Sequence, residues 1–125
     1  MENRYYTPAL EEFHIGFEYE QKIDQENWKY RLIEGRYDLF DACMNISRVK
    51  YLDQSDIESL GFEHKQYVPE RNICLNFEYK EWYLNYWFGE IPNVEIGRDG
   101  YDDGFFGKCK NKSELKRILN QLNIK

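Results

Sequence analysis

The sequence predicts an α+β fold: an antiparallel β-meander sheet of about five to six strands, one short middle helix and a C-terminal amphipathic helix. Three observations carry this. Ile73, Leu75, Phe77 and Tyr79 form one alternating apolar run, and Trp82, Leu84, Tyr86 and Phe88 form a second. Only Lys80 and Glu81 stand between them, the pattern of two strands joined by a tight hairpin. Near the C-terminus, Leu115, Ile118, Leu119 and Leu122 recur at i, i+3, i+4 and i+7, opposite Lys116, Arg117, Asn120 and Gln121. That spacing makes one apolar helical stripe.

The remaining elements follow in chain order. Phe13, Ile15, Phe17 and Tyr19 alternate with His14, Gly16, Glu18 and Glu20, predicting a half-buried strand over 13–20. Asp24–Asn27 is a turn by composition, Trp28–Ile33 a short strand, and Asp38–Met44 a short helix with Leu39, Phe40, Cys43 and Met44 on one side. Arg48–Leu52 is a strand leading into a helix capped by Asp53, with Ile57 and Leu60 facing one way and Gly61 in the position of a left-handed stop. The helix directs Phe62 onto the sheet, and His64 follows in a loop. After Tyr67-Val-Pro69 and the hairpin, Val94 and Ile96 mark a short strand, Arg98–Gly104 a turn, and Phe105–Cys109 the last strand. Asn111, with Glu114 three residues on, starts the final helix.

With 125 residues, no linker and no internal repeat, one domain spanning 1–125 is expected. The 11 Tyr, 8 Phe and 3 Trp supply apolar area for a core without disulfides. Cys43, Cys74 and Cys109 are odd in number and widely spaced, as for free, mostly buried thiols in a reducing compartment. No apolar run reaches the ~20 residues of a membrane span, and no basic-then-apolar leader opens the chain.

The formal charge is -6, unevenly placed. From Lys108 onward there are Lys108, Lys110, Lys112, Lys116, Arg117 and Lys125 against Glu114 alone, so this segment carries +5 and the rest -11. Net acidity argues against generic nucleic-acid binding, which relies on neutralising phosphates.

Motif chemistry is sparse. The nucleophile-elbow, zinc-protease, P-loop and dinucleotide signatures are all missing, and no cofactor is expected. Asp99–Gly104 resembles a calcium loop, but Tyr101 and Lys110 stand where oxygen ligands are needed. His14 and His64 lack any metal-ligand spacing, and no metal site is expected. One acid–lysine pattern, Glu78-Tyr79-Lys80 with Glu70 upstream, has the composition of a metal-dependent nuclease, although Lys80 falls in the hairpin turn. The stronger signal is a sheet face carrying Tyr83, Asn85 and Trp87. Aromatic rings stack on bases and arginine pairs with phosphates, so Tyr83, Trp87, Arg48, Lys50, Arg98 and Tyr101 are the candidate ligand-binding residues.

Three stretches resemble a set of small uncharacterised proteins of Bacteroidetes-type phages and prophages. They are Tyr5–Glu20, Asn111–Leu122 and, most specifically, Arg48-Val-Lys-Tyr-Leu-Asp-Gln-Ser-Asp-Ile-Glu-Ser-Leu-Gly-Phe62. The resemblance implies a mobile-element origin and work in the bacterial host cytoplasm, with no catalytic residues to transfer. The expected function is a non-enzymatic counter-defence protein that sequesters a nucleotide-like immune signal. The alternatives are a protein–protein inhibitor or assembly partner of a host or phage protein, and a small metal-dependent nuclease. Neither binding reading involves a membrane, and both accommodate a homo-oligomer.

Overall fold

The computed structural model describes residues 4–67 and 74–124. It is α+β, with two antiparallel sheets and three α-helices, in two compact units: Met1–Tyr51 and Leu52–Lys125.

Unit 1 contains β1 (Tyr5–Tyr6), a 3-10 turn (Leu10–Glu12), β2 (Glu18–Lys22), β3 (Trp28–Leu32), α1 (Arg36–Cys43) and β4 (Ser47–Lys50). Its sheet runs β1-β4-β2-β3. The anticipated strand over 13–20 begins only at Glu18. Gly16 holds φ +94°, the chain turns there, and its N–H donates to the Ile33 carbonyl. Phe13 thereby leaves the sheet plane and meets Phe17 and Tyr19 edge-on, each with ring centroids 5.4 Å away. Phe17, Tyr19, Ile33, Ala42 and Val49 form the unit's core. The side of α1 predicted to be apolar is corrected here. Ala42 is buried and Leu39 half-buried, whereas Phe40, Cys43 and Met44 are exposed. Ala42 and Leu39 are the α1 side chains that pack into the unit's core, and that contact sets the helix's rotation.

Unit 2 contains α2 (Gln54–Ser59), the meander β5 (Glu63–Tyr67), β6 (Cys74–Tyr79), β7 (Trp82–Trp87), β8 (Asn93–Gly97) and β9 (Phe105–Lys108), then α3 (Lys112–Gln121). The sheet order is sequential, β5 to β9. Its first strand places His64 in the sheet rather than in a loop, with the ring 5.3 Å from Phe77. Ile73, Val68, Pro69 and Glu70 lie outside the described residues. The hairpin turns at Lys80, which takes φ +55°.

Alternation then does what the sequence requires. Leu75, Phe77, Trp82, Leu84, Tyr86, Val94 and Ile96 point to one face and are buried against Ile57, Phe62, Leu115, Ile118 and Leu119. Phe88 departs from this pattern: it lies past the end of β7 and is exposed, with an edge contact to Tyr86. Both helices are capped as their sequences demand. Asp53 accepts from the Asp56 N–H and Asn111 from the Glu114 N–H, at 2.9 and 2.8 Å. The last helix closes with Asn123 at φ +61°, its N–H donating to the Asn120 carbonyl and that of Ile124 to the Leu119 carbonyl, the pairing that ends a helix on a left-handed residue.

Among the described residues no helix is long and apolar enough to cross a membrane. Of the three thiols, all free, Cys74 and Cys109 are buried, but Cys43 on α1 is exposed.

Candidate functional site

The six candidate residues divide between the two units. Arg48 and Lys50 belong to unit 1, and Tyr83, Trp87, Arg98 and Tyr101 to unit 2. Each unit instead builds its own arginine–aromatic cluster.

In unit 1, β4 places Arg48 opposite Glu20 of β2, and β2 places Lys22 opposite Trp28 of β3. The period of two turns these side chains, together with Lys50, Tyr5 and Tyr30, to the sheet face away from the core. The Arg48 guanidinium lies 3.7 Å from the Tyr5 ring centroid and 4.2 Å from that of Trp28. Its Nε and Nη2 both donate to Glu20 Oε1, each at 2.8 Å. Lys22 sits 6.0 Å from the Trp28 ring. Cation–π contacts contribute about 0.5–2 kcal/mol each, and a half-exposed ion pair about 0–1 kcal/mol. The cluster thus ties β1, β4, β2 and β3 together across the sheet.

In unit 2, Arg98 follows β8 with the parity of Val94 and Ile96, on the opposite side of the sheet from Tyr83 and Trp87. Its guanidinium lies 3.9 Å from the Tyr101 ring and 4.7 Å from that of Trp82. Nη1 donates to Glu81 at 2.7 Å, and Nη2 and Nε donate to Asp103 at 2.6 and 3.2 Å. Hydrogen bonding from Arg98 holds the Asp103 carboxyl below its ordinary range, and Asp103 in turn raises Arg98.

The structure therefore brings Arg98 and Tyr101 together and leaves Tyr83 and Trp87 on the outer face of β7 with Asn85 between them. The Tyr83 ring lies across Gly97, where an added Cβ would come within 2.6 Å of its hydroxyl. Between Tyr83 and Trp87, a polar row crosses three strands: Asn76 donates to Asn85, and Asn85 donates to Glu95 at 3.0 Å. Among the described residues the buried Trp87 indole N–H has no hydrogen-bond partner.

Sequence reasoning missed the groups that complete each cluster: Tyr5, Trp28 and Glu20 in one, and Trp82, Glu81 and Asp103 in the other. Their residue types were visible, but their meeting depends on register between distant strands. A third surface was also missed. On α1, Tyr37, Phe40 and Met44 are 81%, 65% and 69% exposed. They stand at i, i+3 and i+7, so they form one stripe on the helix.

For the nuclease pattern, Glu78 is exposed on β6 and Lys80 lies in the turn with its ammonium 5.1 Å from the Tyr79 ring, while Glu70 is outside the described residues. Among the described residues no three His, Cys, Asp or Glu side chains gather to hold a metal ion. No protein-family model, curated protein or solved structure matches this chain.

Proposed function

We propose that this chain is a non-enzymatic binding protein that acts by contact with another protein, with α1 as its contact element. The observation that carries this is the stripe of Tyr37, Phe40 and Met44, which stays in water although the helix beneath it is docked by Ala42 and Leu39. Complete burial of such a side chain contributes about 1.5–3 kcal/mol. Tyr, Phe and Met are also the residue types that enrich interface centres. An apolar stripe at this spacing fits a hydrophobic groove in a partner. The resemblance to phage proteins supports a host or phage protein in the bacterial cytoplasm as that partner.

The nucleotide reading requires more rearrangement. A phosphate at Arg48 must displace Glu20, and one at Arg98 must displace Glu81 and Asp103. A stacked base must likewise compete with a guanidinium already lying over Tyr5, Trp28, Trp82 or Tyr101.

The test is affinity capture from the bacterial host with the intact chain and with Phe40→Asp, alongside native mass spectrometry of the purified protein. A partner held by the intact chain and lost by Phe40→Asp at unchanged melting temperature supports the reading. An added mass of a few hundred daltons, released on denaturation, together with capture indifferent to Phe40→Asp, returns the assignment to a sequestered small ligand.

A further inference from the structure

The outer strand of the unit 1 sheet, β3, is open along one side, and its hydrogen-bonding phase can be worked out. Among the described residues β3 pairs only with β2, with Arg31 opposite Tyr19 and Lys29 opposite Gln21. The ladder is extended at one end by the Ile33 N–H to the Phe17 carbonyl and at the other by the Ile23 N–H to the Asn27 carbonyl, both 3.0 Å. Hydrogen-bonded pairs in an antiparallel ladder recur every second residue. Arg31 and Lys29 therefore turn their backbone groups inward to β2, while Trp28, Tyr30 and Leu32 turn theirs outward. Among the described residues no backbone group meets these outward donors and acceptors. The edge is accessible: Tyr30 is 59% exposed, and Leu32 and Lys29 are also exposed.

Charge selects what can pair there. Lys29 and Arg31 project to the same face of the strand, and neither forms an ion pair among the described residues. The Arg31 side-chain hydrogen bond goes to the neutral Gln21 amide at 3.1 Å, and that amide stands between Arg31 and the Asp41 carboxylate, to which it donates. This contrasts with Arg48 and Arg98, whose guanidiniums are held by carboxylates. A second copy of the chain is disfavoured. Every antiparallel register that joins two or more of the outward residues of each β3 strand sets Lys29 or Arg31 directly opposite Lys29 or Arg31 of the other copy. Those positions are non-hydrogen-bonded pairs, where Cα atoms are only ~4.5 Å apart and like charges repel.

We infer that the β3 edge accepts an extended acidic segment of another protein, adding it as a strand beyond Trp28–Leu32, with Asp or Glu side chains opposite Lys29 and Arg31 and apolar side chains beside Trp28, Tyr30 and Leu32. Backbone hydrogen bonds supply affinity in this mode, and alternate side chains supply selectivity. The cations that bar self-pairing are those that choose the acidic visitor. The strand pairing uses none of Tyr37, Phe40 and Met44, so each reading is tested by its own variants and failure of one is visible without the other.

The test uses the full chain and two capped synthetic peptides of about seven residues, one alternating valine with glutamate and one alternating valine with lysine. Amide exchange and chemical shifts are followed by NMR. The acidic peptide is expected to bind and to slow exchange at Trp28, Tyr30 and Leu32, with Lys29 and Arg31 unchanged. Tyr30→Pro removes an outward donor without touching the β2 ladder and is expected to weaken binding at least tenfold. Should that variant fold poorly, the double variant Lys29→Glu with Arg31→Glu must reverse the preference toward the lysine peptide. Equal binding of both peptides, no binding at millimolar concentration, protection elsewhere, retained preference in the double variant or binding unchanged in a folded Tyr30→Pro chain overturns the inference. So does self-association through β3.

Discussion

Asp103 accepts two hydrogen bonds from Arg98, from Nη2 at 2.6 Å and Nε at 3.2 Å, so the side edge of the guanidinium closes the loop between them. Tyr101, inside that loop, lies 3.9 Å from the same guanidinium and donates its backbone N–H to the Arg98 carbonyl. A loop of this composition would otherwise be loosely held, since it has no buried apolar residue of its own.

That pairing sets a pH dependence. Because Arg98 hydrogen-bonds the charged form, Asp103 titrates below the ordinary aspartate value of 3.8. A carboxylate depressed in the folded state contributes stability above its unfolded pKa and loses it as pH falls through the folded one. NMR titration of the Asp103 side-chain carbon is expected to give a midpoint under 3.8, and Arg98→Gln is expected to move it upward. An unmoved midpoint would show that the bidentate pair does not persist in solution.

Thiol reactivity should split one to two. Cys43 is exposed on α1, and Cys74 and Cys109 are buried. Burial pushes the Cys109 thiol up to about 12, with Glu114 adding to the effect. A disulfide reagent at pH 8 is expected to label one thiol quickly in the folded chain and all three in denaturant. The unfolded thiol ionises from its ordinary 9.0, so between that value and about 12 the folded state holds one proton more. Stability then falls as pH rises, by about 1.4 kcal/mol per unit. Cys109→Ala should remove that portion of the slope, which denaturant melts across the range would measure.

Leu119 is 7% exposed in the unit 2 core, where α3 meets the meander. Leu119→Ala is expected to cost about 2–5 kcal/mol, and Leu119→Asp more, because a carboxylate there has no partner to offset its desolvation. Asn111→Ala, which removes the side-chain cap of α3, should cost about 1 kcal/mol. Chemical denaturation must rank Leu119→Asp as the most costly, then Leu119→Ala, then Asn111→Ala.

Two glycines of unit 2 should respond differently to alanine. At Gly97 the added carbon would meet the far end of the Tyr83 side chain, which can swing away, whereas at Gly104 it would come within 2.5 Å of the Ile96 carbonyl oxygen. Gly104→Ala is expected to cost about 1–3 kcal/mol and Gly97→Ala less than that. A reversed order in melting experiments would contradict the close approach at Gly104.

Elements whose signal is local were legible in the sequence. The α3 stripe, the caps at Asp53 and Asn111, the left-handed Gly61 at φ +102° and the β6–β7 hairpin all appear where spacing and residue type placed them. The signals that failed are those decided at a distance. Phe13 and Ile15 had strand periodicity, but the bond from Gly16 to Ile33 diverted them. Phe40 and Met44 resembled core residues on α1, yet the sheet selected Ala42 and Leu39. Glu63–Tyr67 has too few apolar residues to declare itself a strand and is one only because β6 pairs with it. The arginine clusters failed for the same reason, since Arg48 meets Trp28 only once two strand registers are set.

The backbone of Leu52 is gripped on both sides by later parts of the chain: its carbonyl accepts from the Tyr86 hydroxyl at 2.8 Å, and its N–H donates to the Lys110 carbonyl at 2.8 Å. Translation delivers these partners in order. Unit 1 has all its described strands once Tyr51 has been made, whereas the first residue of unit 2 must wait until Lys110 has been made. At ~5–20 residues per second that delay is on the order of 3–12 s. During it the aromatic strands β6 and β7 exist without α3 to cover them, so the core face of the meander spends that interval in water.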